Sequence, residues 1–348
     1  MPKRKLNKQQ RLRIADNRAA VAETDNGELL SGLVVTHFGK AVEVVTLDGG
    51  GDHGDDSGLN YARQRSEQAV RCHFRANLPT IVCGDRVLWR AADNVDDSGV
   101  IESLLPRRSL LQRPRPYQDP KPVAANIDHI FIVIAVQPAP IARLIDRYLI
   151  AAENADIGVS LLLNKTDLLT EAGDTEEIDE LLTLYDALGY NIYRHSLHSE
   201  ATQRHGEALA LALTGKTSIL VGQSGVGKSS IINAFSGDES AQVGDISSAN
   251  DKGRHTTTTA QLYTLETASG GASVIDSPGI REFGLWHLSA EEIIYGLREF
   301  RRAATKCKFR DCQHGQSAGC AIQAAYDCGT IHPSRMSSYR QILDSLDN

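Results

Sequence analysis

Gly222-Gln223-Ser224-Gly225-Val226-Gly227-Lys228-Ser229 fits the phosphate-loop pattern G-x-x-x-x-G-K-[ST]. The apolar run TSILV at 217–221 precedes it and reads as a buried strand, while SSIINAF at 229–235 follows it and reads as a helix. Backbone N–H groups of such a turn, backed by a helix N-terminus, cradle phosphates. The lysine adds compensating charge, and the hydroxyl of Ser229, with Ser230 beside it, faces the Mg2+ that accompanies a nucleotide. A bare match is compatible with a chance glycine turn. Strand, loop and helix in register separate the two readings.

Two further words of the same vocabulary flank this loop. Asp276-Ser277-Pro278-Gly279 supplies D-x-x-G, with Asp276 and Gly279 as nucleotide contacts. Asn164-Lys165-Thr166-Asp167 supplies N-K-x-D directly after the apolar run 157–163. An aspartate carboxylate there accepts hydrogen bonds from guanine N1–H and the exocyclic amine, a donor pair that adenine lacks. GTP is therefore preferred over ATP. The order is unusual, because N-K-x-D precedes the phosphate loop instead of closing the domain. That order predicts a circularly permuted GTPase domain. Nucleotide sites of open α/β sheets are assembled at the carboxyl ends of several strands, so moving the termini leaves every loop in place.

Apolar runs at 130–136, 157–163, 190–194, 217–221, 259–266 and 272–276 predict strands, and 140–153, 176–188 and 205–213 predict intervening helices. This alternation argues for a mainly parallel sheet. Upstream, five short alternating segments (32–36, 41–45, 69–74, 86–90 and 99–104) suit a small OB-fold β-barrel. A Gly/Asp-rich insert at 48–65 reads as a loop. Trp89 and Phe74 are expected in the barrel core rather than as stacking platforms. Five prolines in 105–122 predict a linker. The expected layout is a basic arm at 1–31, an OB-fold at 32–104, the linker, the GTPase domain at 123–284 and a C-terminal helical zinc-binding domain at 285–348.

Of six cysteines, Cys72 and Cys83 fall in barrel segments and read as small buried apolar residues. Cys307, Cys312, His314 and Cys320 form C-x4-C-x-H-x5-C, a soft ligand set for one closed, structural Zn2+ site. The 348 residues carry a net charge of -7, which alone would argue against an RNA partner. The charge is uneven, however. Lys3, Arg4, Lys5, Lys8, Arg11, Arg13 and Arg18 crowd the start, and acidic residues crowd 171–180. Local charge sets the field that a nucleic acid meets. No apolar stretch is long enough for a membrane span and no signal peptide opens the chain. A cytoplasmic protein without a membrane partner, monomeric by default, is expected.

Taken together, N-K-x-D, the phosphate loop, Gly253-Arg254-His255-Thr256-Thr257-Thr258, D-x-x-G and the cysteine–histidine cluster resemble the bacterial ribosome small-subunit-dependent GTPase A (YjeQ) family. The resemblance spans roughly residues 30–335. It implies a GTPase of late small (30S) ribosomal subunit assembly that contacts 16S rRNA, binds GTP and GDP and carries one structural zinc. It also leaves Cys328 outside the ligand set. The family's guanine-closing loop carries a Ser-Ala signature, whereas this chain reads His195-Ser196-Leu197-His198, with Ser196 as the candidate contact. Under the same resemblance the basic arm grips rRNA; by itself it reads equally as a solubilising tail.

Many GTPases place a glutamine after D-x-x-G to orient water, but this chain has Ile280. His255 is the candidate replacement, a solvated loop histidine being the plainer alternative. Catalysis is thus assigned to Lys228 and His255, and Mg2+ to Ser229 with Thr256 or Thr257. The D-x-x-G position also predicts that nucleotide state is relayed into Arg298, Arg301, Arg302, Lys306, Lys308 and Arg310, a basic stretch placed to touch rRNA. The competing reading is a zinc- and RNA-binding module that holds GTP as a structural ligand without meaningful turnover.

Overall fold

A computed structural model describes residues 29–39, 41–47, 69–92, 98–115, 118–169, 172–197, 202–236, 260–267, 270–276, 288–309, 312, 314 and 318–346. The basic arm, the 48–65 insert, His198, the segment holding His255, Thr256 and Thr257, Gly279 with Ile280, and Arg310 lie outside them.

Five strands form the first unit: β1 (Leu30–His37), β2 (Val42–Thr46), β3 (Val70–Phe74), β4 (Arg86–Arg90) and β5 (Gly99–Leu104). They pair β1–β2–β3–β5–β4 and close through β4–β1, with only β3–β5 parallel. That is the OB-fold barrel predicted from the alternating pattern. Inward positions Val34, Val42, Val44, Cys72, Val87, Trp89 and Ile101 make its core, and Phe74 packs against it. Neither aromatic is a free stacking platform.

The proline-rich stretch is more ordered than a linker. Leu110–Arg115 (β6) and Gln118–Ala125 (β7) pair as an antiparallel two-stranded sheet. Both strands of a two-stranded sheet are edge strands, where proline is tolerated. Just before it, Arg107 donates to both carboxylate oxygens of buried Asp85, at 2.7 and 2.8 Å. Asn126 Nδ2 donates to the Gly84 carbonyl at 2.7 Å. The hairpin is thereby riveted to the barrel.

The central unit runs β8 (His129–Ala135), α1 (Ala142–Asn154), β9 (Gly158–Asn164), α2 (Ala172–Ala187), β10 (Asn191–Arg194), α3 (Thr202–Leu213), β11 (Thr217–Val221), α4 (Lys228–Ser236), β12 (Ala260–Thr267) and β13 (Gly270–Asp276). Its strand order is β10-β9-β8-β11-β13-β12, with all neighbours parallel except β12–β13. The late strand β11 therefore lies between the early strand β8 and β13, which is the permutation seen in three dimensions. Both faces are covered. Ile130, Ile132 and Ile134 of β8 face a core shared with Ile145, Leu149 and Leu182, whereas Phe131, Val133 and Ala135 face Leu209, Leu213 and Ile231. A strand buried on both sides reads as a continuous apolar run, and β8 does.

The barrel and this sheet are continuous, because β1 pairs with β12 at Thr36–Gln261 and His37–Ala260. The Cys83 thiol donates to the Ala260 carbonyl at 3.0 Å across the same junction.

Among the described residues four helices follow: α5 (Ala290–Gly296), α6 (Arg298–Ala304), α7 (Ala321–Asp327) and α8 (Pro333–Asp344). Ser289 and Glu292 make a reciprocal capping box at the start of α5, and Pro333 opens α8 behind the His332 cap. Their apolar core (Ile293, Leu297, Phe300, Ile322, Met336, Tyr339 and Ile342) includes Ile150 of α1. Arg335 is 1% exposed and bridges the two units. It bonds Asp146 of α1 and, at 2.6 Å, Glu299 of α6, while Tyr185 of α2 donates to Asp146 at 2.6 Å. Among the described residues no helix is long and apolar enough to cross a membrane.

Candidate nucleotide-binding site and metal centre

Five parallel strands deliver their carboxyl ends to one edge of the sheet, and each carries a piece of the site. Strand β11 ends at Val221, and the chain turns at Gly222 with φ of 142°. A Cβ there would lie 2.1 Å from the Val133 carbonyl, so the loop can hug β8 only with glycine. Val226 is fully buried under the loop, while Ser224, Gly225, Ser229 and Ser230 are exposed at its rim. Lys228 Nζ donates to the carbonyls of Gly222 and Gln223 at 2.8 and 2.6 Å. Its ammonium is thus held over the hollow of the loop, where phosphate oxygens would meet it. Asp276 ends β13, the neighbour of β11, on the same side.

The N-K-x-D segment is brought against this loop. Asn164, 2% exposed at the end of β9, donates from Nδ2 to the Val226 carbonyl at 2.8 Å. Gly227, at φ of 93°, makes room for it, since a Cβ would meet Asn164 Nδ2 at 2.3 Å. Lys165 takes a left-handed conformation with φ of 58°. Its Nζ spans to the carbonyls of Gln137 and Gly225 at 2.9 and 2.7 Å. Asn164 and Lys165 therefore brace the phosphate loop from behind, while Thr166 and Asp167 begin the following 3-10 turn. Ser196 Oγ donates to Asp167 Oδ1 in a short hydrogen bond. The departure from a Ser-Ala loop thus still supplies a hydroxyl to the Asp167 carboxylate.

The sequence reading did not assign roles to two groups here. The Gln137 carbonyl is backbone and carries no residue-type signal. His195 opens an atypical loop and belongs to no motif. It is 2% exposed, and its Nδ1 lies 2.9 Å from Asn164 Oδ1.

The second centre lies between α6 and α7. The ligand atoms of Cys307, Cys312, His314 and Cys320 all lie within 4.8 Å of one another. A tetrahedral Zn2+ site with three thiolates and one imidazole needs such clustering, with bonds of about 2.0–2.3 Å. Backbone N–H groups of Ala321 and Gln323 donate to the sulfurs of Cys307 and Cys320 at 3.4 and 3.5 Å. Burial lowers the His314 pKa, which favours the neutral imidazole that a metal requires. Cys328 is exposed, bonds Thr330 and stands outside the cluster.

Arg298 and Arg301, expected to face RNA, are turned toward the central unit. Arg298 donates to Glu153 Oε1 at 2.6 Å and to the Gly189 carbonyl at 2.7 Å, and its guanidinium lies 3.9 Å from the Tyr190 ring centroid. Arg301 reaches Glu153 Oε2 at 3.4 Å.

Known proteins are similar to this chain. The family model described as RsgA GTPase matches residues 104–286. A curated relative from Marinobacter nauticus, named small ribosomal subunit biogenesis GTPase RsgA, is 44% identical over 361 aligned positions, covering 99% of this chain and 97% of the relative. A relative of the same name from Pseudomonas aeruginosa is 47% identical, covering 94% and 89%. Among solved structures, YjeQ from Thermotoga maritima superposes with a TM-score of 0.66 at 29% identity, covering 92% of this chain and 99% of that one. YloQ, a circularly permuted GTPase, superposes with a TM-score of 0.65 at 23% identity, covering 92% and 96%.

Proposed function

The chain belongs to the RsgA GTPase family, and from that premise we propose that it hydrolyses GTP to GDP and phosphate during late maturation of the 30S subunit. The observation that carries the nucleotide reading is the joining of Asn164 to the Val226 carbonyl at 2.8 Å, which unites the base-reading and phosphate-binding motifs in one pocket. On this reading Asp167 accepts the guanine donors, the amides of Gly222 to Ser230 cradle the phosphates and Lys228 turns from the Gly222 and Gln223 carbonyls to phosphate oxygens. Mg2+, when bound, neutralises developing phosphate charge; Ser229 and a threonine of 256–257 would hold it. His255 orients the attacking water in place of the glutamine missing at Ile280. Cys307, Cys312, His314 and Cys320 hold one structural Zn2+.

The partner is the 30S subunit with its 16S rRNA, met by a cytoplasmic monomer through the basic arm, the barrel and the free part of the C-terminal basic stretch. With Arg298 and Arg301 committed to Glu153, Arg302, Lys306 and Lys308 are what remains of that stretch among the described residues. GTP favours the bound arrangement and GDP release.

Phosphate release measured with and without purified 30S subunits tests the proposal. Stimulated turnover is expected, and His255→Ala should lower it by about tenfold or more while sparing GTP affinity. Turnover at the uncatalysed level in both conditions would instead favour a zinc- and RNA-binding module with GTP as structural ligand.

A further inference from the structure

His195 directly follows β10 and packs against Asn164. Its backbone N–H donates to the Leu163 carbonyl at 2.8 Å, and its own carbonyl accepts from Thr166 N and Thr166 Oγ1, both at 3.2 Å. The ring is buried, 6.0 Å centroid to centroid from Phe235 of α4. Its Nδ1 lies 2.9 Å from Asn164 Oδ1.

The two bonds of Asn164 fix a chemical state. The Val226 carbonyl can only accept, so the atom facing it must be the amide nitrogen of Asn164. Turning the amide over would oppose two carbonyl oxygens in a buried site. Oδ1 therefore faces His195, and an amide oxygen can only accept. The ring must therefore carry a proton on Nδ1. The Val226 carbonyl and the imidazole Nδ1–H thus hold the Asn164 amide from both ends, and the His195 backbone holds Thr166 at the same time.

We propose that His195 is a positioning residue for guanine-nucleotide binding: its Nδ1–H pins the Asn164 amide so that Asn164 is presented to the base and to the phosphate loop in one orientation. This rests on the reading of Asn164 as a nucleotide contact. Without the His195 donor the amide keeps only its Val226 bond, so it is held less firmly and its buried oxygen loses a partner. Both weaken binding without touching the reacting phosphate. The signature is therefore a higher KM with kcat retained.

The test compares His195→Leu, which fills the space without a donor, with His195→Asn, whose amide nitrogen can occupy the place of Nδ1. GDP affinity, GTP turnover and the melting temperature without nucleotide are measured for both. His195→Leu should weaken GDP and raise KM by about tenfold, the scale of one orphaned buried polar group. His195→Asn should recover to within about threefold of the parent, on the same scale. Recovery by Asn at equal melting temperatures supports the assignment. Leu and Asn variants with the same affinity overturn it. In the unsubstituted protein, 15N shifts of the ring should report a protonated Nδ1; a bare Nδ1 also overturns it. Lys228→Ala serves as the reference for the site itself. If that change leaves GDP binding intact, the pocket has been misassigned. If it abolishes binding while His195→Leu binds as the parent does, only the role of His195 fails.

Discussion

Replacing Arg335 by Met should loosen the C-terminal helices from the central unit, and the size of the effect follows from what the guanidinium neutralises. Arg335 is 1% exposed, Asp146 0% and Glu299 7%. Removing the cation strands two buried carboxylates, a change of the kind that costs about 3–5 kcal/mol. Hydrogen exchange of the α8 amides reads this directly. At about 1.36 kcal/mol per decade, protection should fall by roughly 150-fold or more. The deficit should also depend on pH. Burial raises the Asp146 pKa, and Arg335 opposes that rise. Without Arg335 the carboxyl moves higher still, so the folded state holds a proton that the unfolded state has released. Stability then increases as pH falls through the raised folded value, and the loss relative to the parent should be smaller at pH 5 than at pH 8. Replacing all three charges, as Arg335→Met with Asp146→Leu and Glu299→Leu, should recover most of the stability, because apolar groups need no partner. A single variant losing less than about 1 kcal/mol, or losing equally at both pH values, would refute this account, since a stranded buried carboxylate costs more and titrates.

Asp167→Asn should weaken GTP and admit xanthosine triphosphate, because the amide offers a donor where guanine also offers donors; competition binding with the two nucleotides reads the switch, and an unchanged preference for GTP would remove Asp167 from the base. Cys312→Ala should release about one metal ion per chain, measured by elemental analysis. The disruption should stay local, to the cluster and α7, because α5, α6 and α8 share an apolar core with Ile150 and do not rely on metal alone.

Much of this was readable from the chain. Phe131, Val133 and Ala135 alternating with Ile130, Ile132 and Ile134 make β8 apolar throughout, and such a run marks a doubly buried strand. The phosphate loop and N-K-x-D carry their chemistry in residue type, so their meeting could be expected before any coordinates. The C-x4-C-x-H-x5-C spacing likewise announced the cluster. Other features depend on contacts made at long range. Arg335 looks like any helix-surface arginine until Asp146 and Glu299 enclose it. Arg298 and Arg301 have the composition of an RNA-facing stretch, and only the position of Glu153 shows where they are spent. Proline content suggested a linker at 105–122, but both strands of a two-stranded sheet are edge strands, where proline is tolerated, so a hairpin remains possible. His195 carried no pattern because its significance lies in one ring nitrogen aimed at one amide oxygen.

The interior place of β11 has a consequence for how the chain is made. On a translating ribosome, β8, β9 and β10 emerge first and can pair with one another, leaving one side of β8 without its neighbour. That side stays open until Thr217–Val221 is synthesised. Strand β8 is an uninterrupted apolar run, the kind of bare edge that recruits strands from other molecules. The barrel faces no such delay, since its five strands close on themselves before β8 exists. The nascent protein therefore passes through a stage with one finished domain and one half-built sheet. The glycine-rich loop proposed to receive nucleotide follows directly on the strand that ends this exposure.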